Sequence, residues 1–382
     1  MKIGLLGIGT VGSGVFNHLS SREDITVKRI LVRRDRPELG DLATFHIEDI
    51  LNDPEIDTVV EVMGGMEPAF EYMMRSIRAG KNVATANKLL LSYHLEDLLT
   101  AAREYGVQVK IDASVGGGIP YLFNLMRSGR ADSIRSLFGI VNGTTNLILD
   151  TMQTHGSDFG DVLAQAQRAG YAEADPSADI DGIDSLSKLC VSASVAFGKY
   201  VIPEHVSVFG IRSITREDIQ QFKKLGYVCR LLVRAERIDD DHISAFVEPT
   251  LLGPGEPETT VRRNDNLIGL VGAYTGQQYF YGQGAGKDPT AFAVVSGLAD
   301  IRDNFRLLEN NPPSGRFIVD NSHIMHRYYV RTTSRLSIPA EKLRGGESNR
   351  YITAPMPVDR MHALAASLRM RDPDLFIAGI RG

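Results

Sequence analysis

Residues 2–12, Lys-Ile-Gly-Leu-Leu-Gly-Ile-Gly-Thr-Val-Gly, decide the fold of this 382-residue chain. The apolar run Ile3–Gly7 predicts a short buried strand, and Val11–Ser20 has the character of a helix. The residues that join them, Gly7-Ile-Gly-Thr-Val-Gly12, fit the pattern G-x-G-x-x-G. This pattern is weak by itself, but between a strand and a helix it is typical of a dinucleotide-binding turn.

The glycines of this turn have separate physical roles. Gly7 permits the tight turn, Gly9 lets the backbone approach a pyrophosphate, and Gly12 allows the helix to pack closely on the strand. The helix N-terminus supplies N–H groups and a partial positive charge for the phosphates. The alternative is a tight turn that binds no ligand. The predicted cofactor-binding residues here are Gly7, Gly9, Thr10, Val11 and Gly12.

Strands and helices alternate along the first third of the chain. After the first strand, strands are predicted at residues 25–32, 57–63, 82–85 and 107–111, and helices lie between them, the last near His94–Tyr105. This alternation predicts an α/β domain with a Rossmann-type, doubly wound parallel sheet over residues 1–130.

The second predicted strand ends in Leu31-Val-Arg33-Arg34-Asp35. An acidic residue at this point binds the ribose 2′-hydroxyl in NAD sites, whereas arginines suit the 2′-phosphate of NADP. Arg33 and Arg34 therefore favour NADP, while Asp35 leaves NAD open. An exposed charged turn without a ligand is the alternative interpretation of both arginines.

The middle part, residues 131–309, changes character. Predicted helices are followed by two strands, Val228–Glu236 and His242–Glu248, which indicates an α+β domain whose sheet has one covered face. A glycine-rich loop then leads to a predicted helix over Ala291–Ile301, which we expect to pack back on the nucleotide-binding domain. Its predicted N-cap is Asp288 or Thr290.

The tail, residues 310–382, opens with Asn-Asn-Pro-Pro-Ser-Gly, which is typical of a linker. A strand over Arg327–Arg331, a helix over Val358–Arg369 and a strand over Leu375–Gly379 are predicted after it. We interpret this as a small appended module.

Composition excludes several classes of function. The net charge of −5 and the absence of a basic patch argue against nucleic-acid partners. Cys190 and Cys229 are far apart and lack CxxC spacing, so two reduced buried thiols are expected. The apolar N-terminal run is short and interrupted by glycines, and no run has the length of a membrane span, so we expect a cytoplasmic protein without a membrane partner.

The segment Glu173–Lys188 concentrates charge where a buried helix should begin. Its five acidic residues precede the apolar run Leu189–Phe197, and charges in such a place are costly unless they are paired or used in chemistry. In a helix starting at residue 183, Asp184 and Lys188 lie four apart on one face.

Two lysines are candidates for moving a proton. Lys188 suits removal of a hydroxyl proton during hydride transfer if its ammonium is neutralised by burial, although neighbouring carboxylates favour the charged form. The alternative is a surface salt bridge with Asp184. Lys88 follows a predicted strand, and ligands bind at the carboxyl ends of parallel strands; a solvated surface lysine is the alternative there.

Seven ordered segments together resemble the homoserine dehydrogenase family over roughly residues 1–305. The matching segments are residues 7–12 (GIGTVG), 59–65 (VVEVMGG), 85–88 (TANK), 113–120 (ASVGGGIP), 139–146 (GIVNGTTN), 170–176 (GYAEADP) with its continuation to Lys188, and 284–290 (GAGKDPT).

The resemblance implies NAD(P)-dependent interconversion of homoserine and aspartate 4-semialdehyde, in threonine and methionine biosynthesis. It implies that Lys188 is the acid/base residue, that Lys88 lies beside the nicotinamide, and that Glu173 and Asp184 bind substrate. It also implies a homodimer, formed through the middle catalytic domain. The further cofactor-binding residues predicted within the matching segments are Gly64, Gly170 and Gly286. The family's sodium or potassium ion would lie on Asp112, Val115, Gly117 and Ile119, largely on backbone carbonyls.

Three positions depart from the family. Asp112 stands where the family usually has Glu, and Phe292 stands where a small residue is usual. The tail resembles a truncated ACT domain but lacks the Asp-x-Pro-Gly-Val pattern of a regulatory one, so threonine inhibition does not follow from the resemblance. Two alternative functions stay open: another amino-acid oxidoreductase, such as an aspartate dehydrogenase, and a catalytically silent ligand-binding regulator.

Overall fold

The computed structural model describes residues 1–343 and 349–381. The strands are β1 (Lys2–Leu6), β2 (Thr26–Leu31), β3 (Ala43–Thr44), β4 (Thr58–Glu61), β5 (Asn82–Thr85), β6 (Val109–Lys110), β7 (Ile134–Ile140), β8 (Ser207–Val208), β9 (Val228–Arg237), β10 (His242–Leu252), β11 (Asn266–Gly272), β12 (Gly276–Gly282), β13 (Ile318–Val319), β14 (Met325–Arg331), β15 (Ala340–Lys342), β16 (Arg350–Thr353), β17 (Met356–Pro357) and β18 (Phe376–Ile380). The helices are α1 (Thr10–Leu19), α2 (Glu48–Leu51), α3 (Ala69–Arg78), α4 (Lys88–Tyr105), α5 (Tyr121–Ser128), α6 (Gly143–His155), α7 (Phe159–Arg168), α8 (Ser177–Ile180), α9 (Ile183–Phe197), α10 (Arg216–Lys224), α11 (Lys287–Arg302) and α12 (Val358–Arg369).

The chain forms two compact units. The first comprises Met1–Ile134, Cys190–Ile202 and Gly282–Arg316. The second comprises Arg135–Leu189, Pro203–Tyr281 and the described part of residues 317–382. The three-part division at residues 130 and 309 stays a prediction.

The first unit is built on a parallel sheet with the strand order β3-β2-β1-β4-β5-β6. The doubly wound fold is therefore confirmed. The order reverses between β1 and β4, and in such sheets ligands bind beyond the carboxyl ends of the strands at this point. α11 lies against α1, where a Cβ on Gly14 would lie 2.8 Å from the Lys287 carbonyl oxygen. The core between them includes Ile3, Val15, Val294 and Leu298, all buried.

The second unit is built on a mixed sheet in the order β12-β11-β7-β9-β10-β18-β14-β16-β15. β9 and β10 pair antiparallel along ten residues, and β18 runs parallel to β10. The predicted strand, helix and strand of the tail are confirmed as β14, α12 and β18. Because β18 and β14 continue the sheet that β10 belongs to, the tail extends this sheet rather than standing apart from it.

Two helix starts differ from the prediction. Asp288 and Thr290 do not cap α11, because the helix already begins at Lys287, with Gly286 as its N-cap and without a side-chain cap. Gly286 has φ +128°, a conformation that glycine adopts readily, so the turn precedes both predicted caps. α4 begins at Lys88 rather than near His94, because Asn87 caps it by accepting a hydrogen bond from the Leu90 N–H.

Cys190 and Cys229 are buried and not joined in a disulfide, as predicted. Burial raises the pKa of the Cys229 thiol to about 12. Among the helices in residues 1–343 and 349–381, none has the length and apolar character needed to cross a membrane.

Candidate active site

The glycine turn after β1 has the geometry that a pyrophosphate needs. Gly7 has φ +100°, and a Cβ on Gly12 would lie 2.2 Å from the Gly7 carbonyl oxygen, so both positions require glycine. A Cβ on Gly9 would meet no atom of the described residues within 4 Å, which leaves the backbone at Gly9 open to a ligand. Gly9 is the N-cap of α1 and provides no side-chain cap, so the first N–H groups of the helix remain for an anion.

The end of β2 presents exposed cationic side chains. Arg33 and Arg34 are both exposed, and within the described part of the chain neither forms an ion pair with a carboxylate. Their neighbour Arg36 lies 3.5 Å from Glu38. Two arginines without carboxylate partners at this position suit a phosphate group.

A buried carboxylate joins the loops that follow β4 and β5. Glu61 accepts hydrogen bonds from the N–H groups of Met63 (2.8 Å) and Gly64 (3.3 Å) and from the Thr85 hydroxyl (2.6 Å). Burial raises the pKa of Glu61, against the lowering effect of these donors. Asn87 donates to the Gly65 carbonyl at 2.7 Å, so the two loops are tied together a second time.

Lys88 and Gly64 therefore lie on turns that the same network holds. Lys88 is the first residue of α4, is half-buried, and donates its backbone N–H to the Ala86 carbonyl at 3.1 Å. A cation is unfavourable at a helix N-terminus, so the helix dipole does not explain a lysine there. Gly64 has φ +74°, and a Cβ on it would meet open space.

The predicted cation segment contains an unsatisfied buried oxygen. Asp112 Oδ1 is buried and has no hydrogen-bond partner among residues 1–343 and 349–381. Burial, with a smaller contribution from Asp300, raises the pKa of this carboxyl to about 6. Asp112, Gly117 and Ile119 line a cavity of about 240 Å³ together with Asp300. Val115 is fully buried. A buried carboxylate oxygen without a donor, on a loop rich in backbone carbonyls, fits a hard monovalent cation.

In the second unit, Lys188 lies in a buried ion pair. Its side chain is 8% exposed, and its Nζ lies 2.7 Å from Asp184 Oδ2 and donates to the Val141 carbonyl at 2.7 Å. The predicted helical pairing of Asp184 and Lys188 is confirmed, and the surface salt bridge is excluded because the pair is buried. Asn142 donates to Asp184 Oδ2 at 2.9 Å and to Asp179 Oδ1 at 2.7 Å.

The remaining acidic residues of the segment divide by their contacts. Asp175 accepts from the Ser177 hydroxyl at 2.6 Å, and Asp181 pairs with Arg212 at 2.6 Å, so both have structural partners. Glu173 is exposed, and within the described contacts its carboxylate joins neither Lys188 nor Asp184.

Gly170 and Gly286 both have positive φ. Gly170 has φ +77° at the turn after α7, and Gly286 has φ +128° at the start of α11. Neither position would accept a larger residue without strain, so both turns require glycine.

Family models match most of the chain. The model described as homoserine dehydrogenase matches residues 120–299, and the model described as homoserine dehydrogenase, NAD binding domain, matches residues 7–112. A homoserine dehydrogenase of Bacillus subtilis is 40% identical over 321 residues, which cover 80% of this chain and 74% of that protein. The chain belongs to the homoserine dehydrogenase family.

Further relatives extend the match to the tail. A homoserine dehydrogenase of Synechocystis sp. is 41% identical over 372 residues, which cover 94% of this chain and 84% of that protein. The crystal structure of a homoserine dehydrogenase from Thiobacillus denitrificans is 33% identical and superposes with a TM-score of 0.87, covering 100% of this chain and 98% of that one.

Membership of the homoserine dehydrogenase family confirms the predicted function. The chain is an oxidoreductase of threonine and methionine biosynthesis with a Rossmann-type domain for a nicotinamide cofactor. An aspartate dehydrogenase and a silent regulator are not favoured, because family models and relatives carry the same description.

The residues that sequence reasoning missed in this homoserine dehydrogenase are polar groups contributed by distant elements. Asn142 and Glu61 both lie in segments that match the family, yet neither had an assigned role. A sequence signal existed for each: Asn142 precedes Gly-Thr-Thr as a helix N-cap does, and Glu61 interrupts an otherwise apolar strand.

Proposed function

We propose that this homoserine dehydrogenase reduces L-aspartate 4-semialdehyde to L-homoserine reversibly, prefers NADP(H), and uses Lys188 to carry the proton. The observation that supports the proposal most is the buried Lys188 ammonium, with Asp184 and the Val141 carbonyl each 2.7 Å from Nζ. An ammonium has three N–H donors. Two are directed to these partners, and the third is assigned to the reacting oxygen of the substrate.

When bound, the nicotinamide supplies or accepts the hydride. In the reduction, Lys188 donates a proton to the aldehyde oxygen as it becomes a hydroxyl. In the oxidation, neutral Lys188 Nζ accepts the hydroxyl proton of homoserine. Asp184 and Glu173 are assigned to the substrate ammonium, which they hold through charge-assisted hydrogen bonds. Lys88 is assigned to orienting the nicotinamide and the reacting oxygen.

Cofactor binding is assigned to the glycine turn, to three further glycines and to two arginines. The N–H groups at the start of α1 would hold the pyrophosphate, with Gly64, Gly170 and Gly286 giving further backbone approach. Arg33 and Arg34 would hold the 2′-phosphate of NADP. Their exposure and their lack of carboxylate partners within the described residues support this assignment.

A sodium or potassium ion is assigned to the loop after β6. Asp112, Val115, Gly117 and Ile119 would hold it, largely through backbone carbonyls. The buried Asp112 Oδ1 without a donor supports the assignment, because a cation would compensate its charge. The shorter Asp side chain, where the family usually has Glu, is compatible with a site built mostly from backbone.

A homodimer is proposed through the sheet of the second unit. β12 is an edge strand of that sheet, and it displays Tyr279 and Tyr281 as large exposed side chains, with Tyr274 89% exposed just before it. Exposed aromatic side chains along a sheet edge are typical of surfaces that a partner covers. Sedimentation of the purified protein tests this, and a monomer at micromolar concentration would contradict it.

One assay series tests the reaction and its cofactor. Consumption of NADPH is followed with aspartate 4-semialdehyde and, separately, with oxaloacetate plus ammonia; turnover is expected only with the semialdehyde. Turnover with oxaloacetate and ammonia instead would overturn the proposal.

Cofactor preference is tested with an Arg33→Ala/Arg34→Ala variant. Its KM for NADPH is expected to rise about tenfold or more, the scale of lost charge-assisted hydrogen bonds, while its KM for NADH changes little. Arg36→Ala is the matched control, since Arg36 is a neighbouring exposed arginine with its own partner, Glu38. Equal losses with both cofactors would contradict a role in 2′-phosphate binding.

A further inference from the structure

Asn142 has all of its hydrogen-bonding capacity satisfied beside the Lys188 ion pair. It lies between β7 and α6 and is 5% exposed. Its Oδ1 accepts from the Thr145 N–H at 2.8 Å and from the Thr145 hydroxyl at 3.0 Å. Its Nδ2 donates to Asp179 at 2.7 Å and to Asp184 at 2.9 Å. The opposite amide orientation would direct its oxygen at two carboxylates, so these partners determine the orientation.

The connection between β7 and α6 contacts both members of the ion pair through two consecutive residues. Val141 accepts a hydrogen bond from Lys188 through its backbone carbonyl, and Asn142 donates to Asp184 through its side chain. A small shift of this connection would therefore move the lysine and its carboxylate together. Thr145 fixes the other side of the Asn142 amide in the first turn of α6.

The side chain at position 142 is also suited to its surroundings by being neutral. The amide of Asn142 lies between two carboxylates, those of Asp179 on α8 and Asp184 on α9, and donates one N–H to each. The nearby Asp181 is already paired with Arg212. A neutral donor reduces the repulsion between two carboxylates without competing with Lys188 as a second cation would. An acidic residue would add a third negative charge.

We propose that Asn142 is a positioning residue for proton transfer: by donating a hydrogen bond to the Asp184 carboxylate, it fixes the group that orients Lys188. The inference rests on the proposed role of Lys188. It assigns no direct contact between Asn142 and the substrate. Asn142 therefore affects the rate only through the ion pair.

The test compares Asn142→Ala and Asn142→Asp over a range of pH. The Ala variant should lose about tenfold in kcat for homoserine oxidation, the scale of one charge-assisted hydrogen bond. The Asp variant should lose more near neutral pH, and its half-maximal rate should move to higher pH, because the extra carboxylate keeps Lys188 protonated. Asn146→Ala is the matched control: it removes a buried asparagine of α6 that donates to the Arg263 carbonyl instead.

A merely structural role predicts a different outcome. The Asn142 variants would then unfold at lower temperature, as Asn146→Ala should, with an unchanged pH profile, and that result would overturn the inference. In a Lys188→Ala background, Asn142→Ala should lower kcat by less than a further factor of about two, because the effects of residues that act as a unit are not additive. If Asn142→Ala still lowers kcat tenfold in that background, the role of Asn142 is overturned while the proposed function stands. Retained activity of Lys188→Ala itself would overturn the proposed function as well.

Discussion

Glu248 and Lys188 are both buried charged side chains of the second unit, but their surroundings differ. Glu248 on β10 is fully buried and accepts hydrogen bonds from His326 (3.0 Å), His362 (2.8 Å) and Tyr328 (3.1 Å). These partners come from β14 and α12. Gly379 on β18 packs against the same carboxylate, since a Cβ there would lie 2.3 Å from Glu248 Oε1. Glu248 therefore connects four elements of the sheet and tail.

Lys188 has fewer partners, and they hold it differently. In the part of the chain that the structure describes, its two partners are Asp184, one turn earlier on α9, and the Val141 carbonyl. Burial therefore serves different purposes at the two sites. Three donors surround Glu248 and fix the tail to the sheet. Within the described residues, Lys188 is oriented by two partners, which leaves one of its three N–H groups to donate to a substrate.

The largest expected effect is that of Lys188→Arg. Arginine keeps the positive charge beside Asp184 but does not release a proton in proteins. We therefore expect kcat for homoserine oxidation to fall at least about a hundredfold, the usual scale of acid–base catalysis. Steady-state rates measure this, with cofactor binding as the control for folding. An active Lys188→Arg variant would show that a positive charge at this position is enough for catalysis and that no proton transfer from residue 188 is needed.

Asp184→Asn should raise the KM for homoserine. The variant removes the carboxylate assigned to the substrate ammonium, and the expected increase is about tenfold or more, with a lower kcat because Lys188 loses its partner. Asp175→Asn is the matched control, since Asp175 lies on the same segment but contacts Ser177. Equal effects of both variants would show that the segment acts only through its overall charge.

Glu248→Gln should produce the opposite result, with stability lost and chemistry retained. Removing the charge that two histidines and a tyrosine surround should lower the free energy of unfolding by roughly 3 kcal/mol, while kcat stays within about twofold of wild type. Denaturant unfolding and steady-state rates measure the two quantities. The control is Glu236→Gln, which removes a partly exposed pair with Arg234 and should cost less than about 1 kcal/mol. A Glu248→Gln variant with normal stability would show that the Glu248 carboxylate does not stabilise the fold.

The acid dependence of stability should be no larger than the loss of stability in Glu248→Gln. Burial by itself would raise the pKa of Glu248, but hydrogen bonds from His326 and His362 outweigh it and lower the pKa from 4.5 to about 2. A lowered carboxyl pKa stabilises the folded state above about pH 4.5 and ceases to do so as the pH falls toward 2. Over that window, wild type should lose up to about 3 kcal/mol that Glu248→Gln does not lose. If the free energies of unfolding of the two proteins fall in parallel as the pH is lowered, Glu248 is not the group responsible for the acid dependence.

Local features of both units could be predicted from the sequence. The glycine turn was predictable because each glycine acts through the backbone of its immediate neighbours, as the clash of a Gly12 Cβ with the Gly7 carbonyl shows. The pairing of Asp184 with Lys188 was predictable because helical spacing places residues four apart on one face. The parallel sheet followed from the alternation of strands and helices.

Contacts between distant segments could not be predicted in this way. Val141 and Asn142 meet the ion pair from 47 and 42 residues away in the chain. The Glu61–Thr85 contact spans 24 residues. Such contacts depend on how strand ends are brought together, which spacing along one element does not encode. The start of α11 was missed for a local reason, since the backbone freedom of Gly286 determined it rather than a side-chain cap.

The rate of the hydride-transfer step in Lys188→Ala shows whether Lys188 carries the proton. The rise in NADPH absorbance during the first turnover is recorded by rapid mixing with saturating NADP and homoserine. The proteins compared are wild type, Lys188→Ala and Glu248→Gln. We expect Lys188→Ala to be slower by at least about a hundredfold and Glu248→Gln to remain within about twofold of wild type. A Lys188→Ala rate within about threefold of wild type would contradict the account, since another group would then have to move the proton.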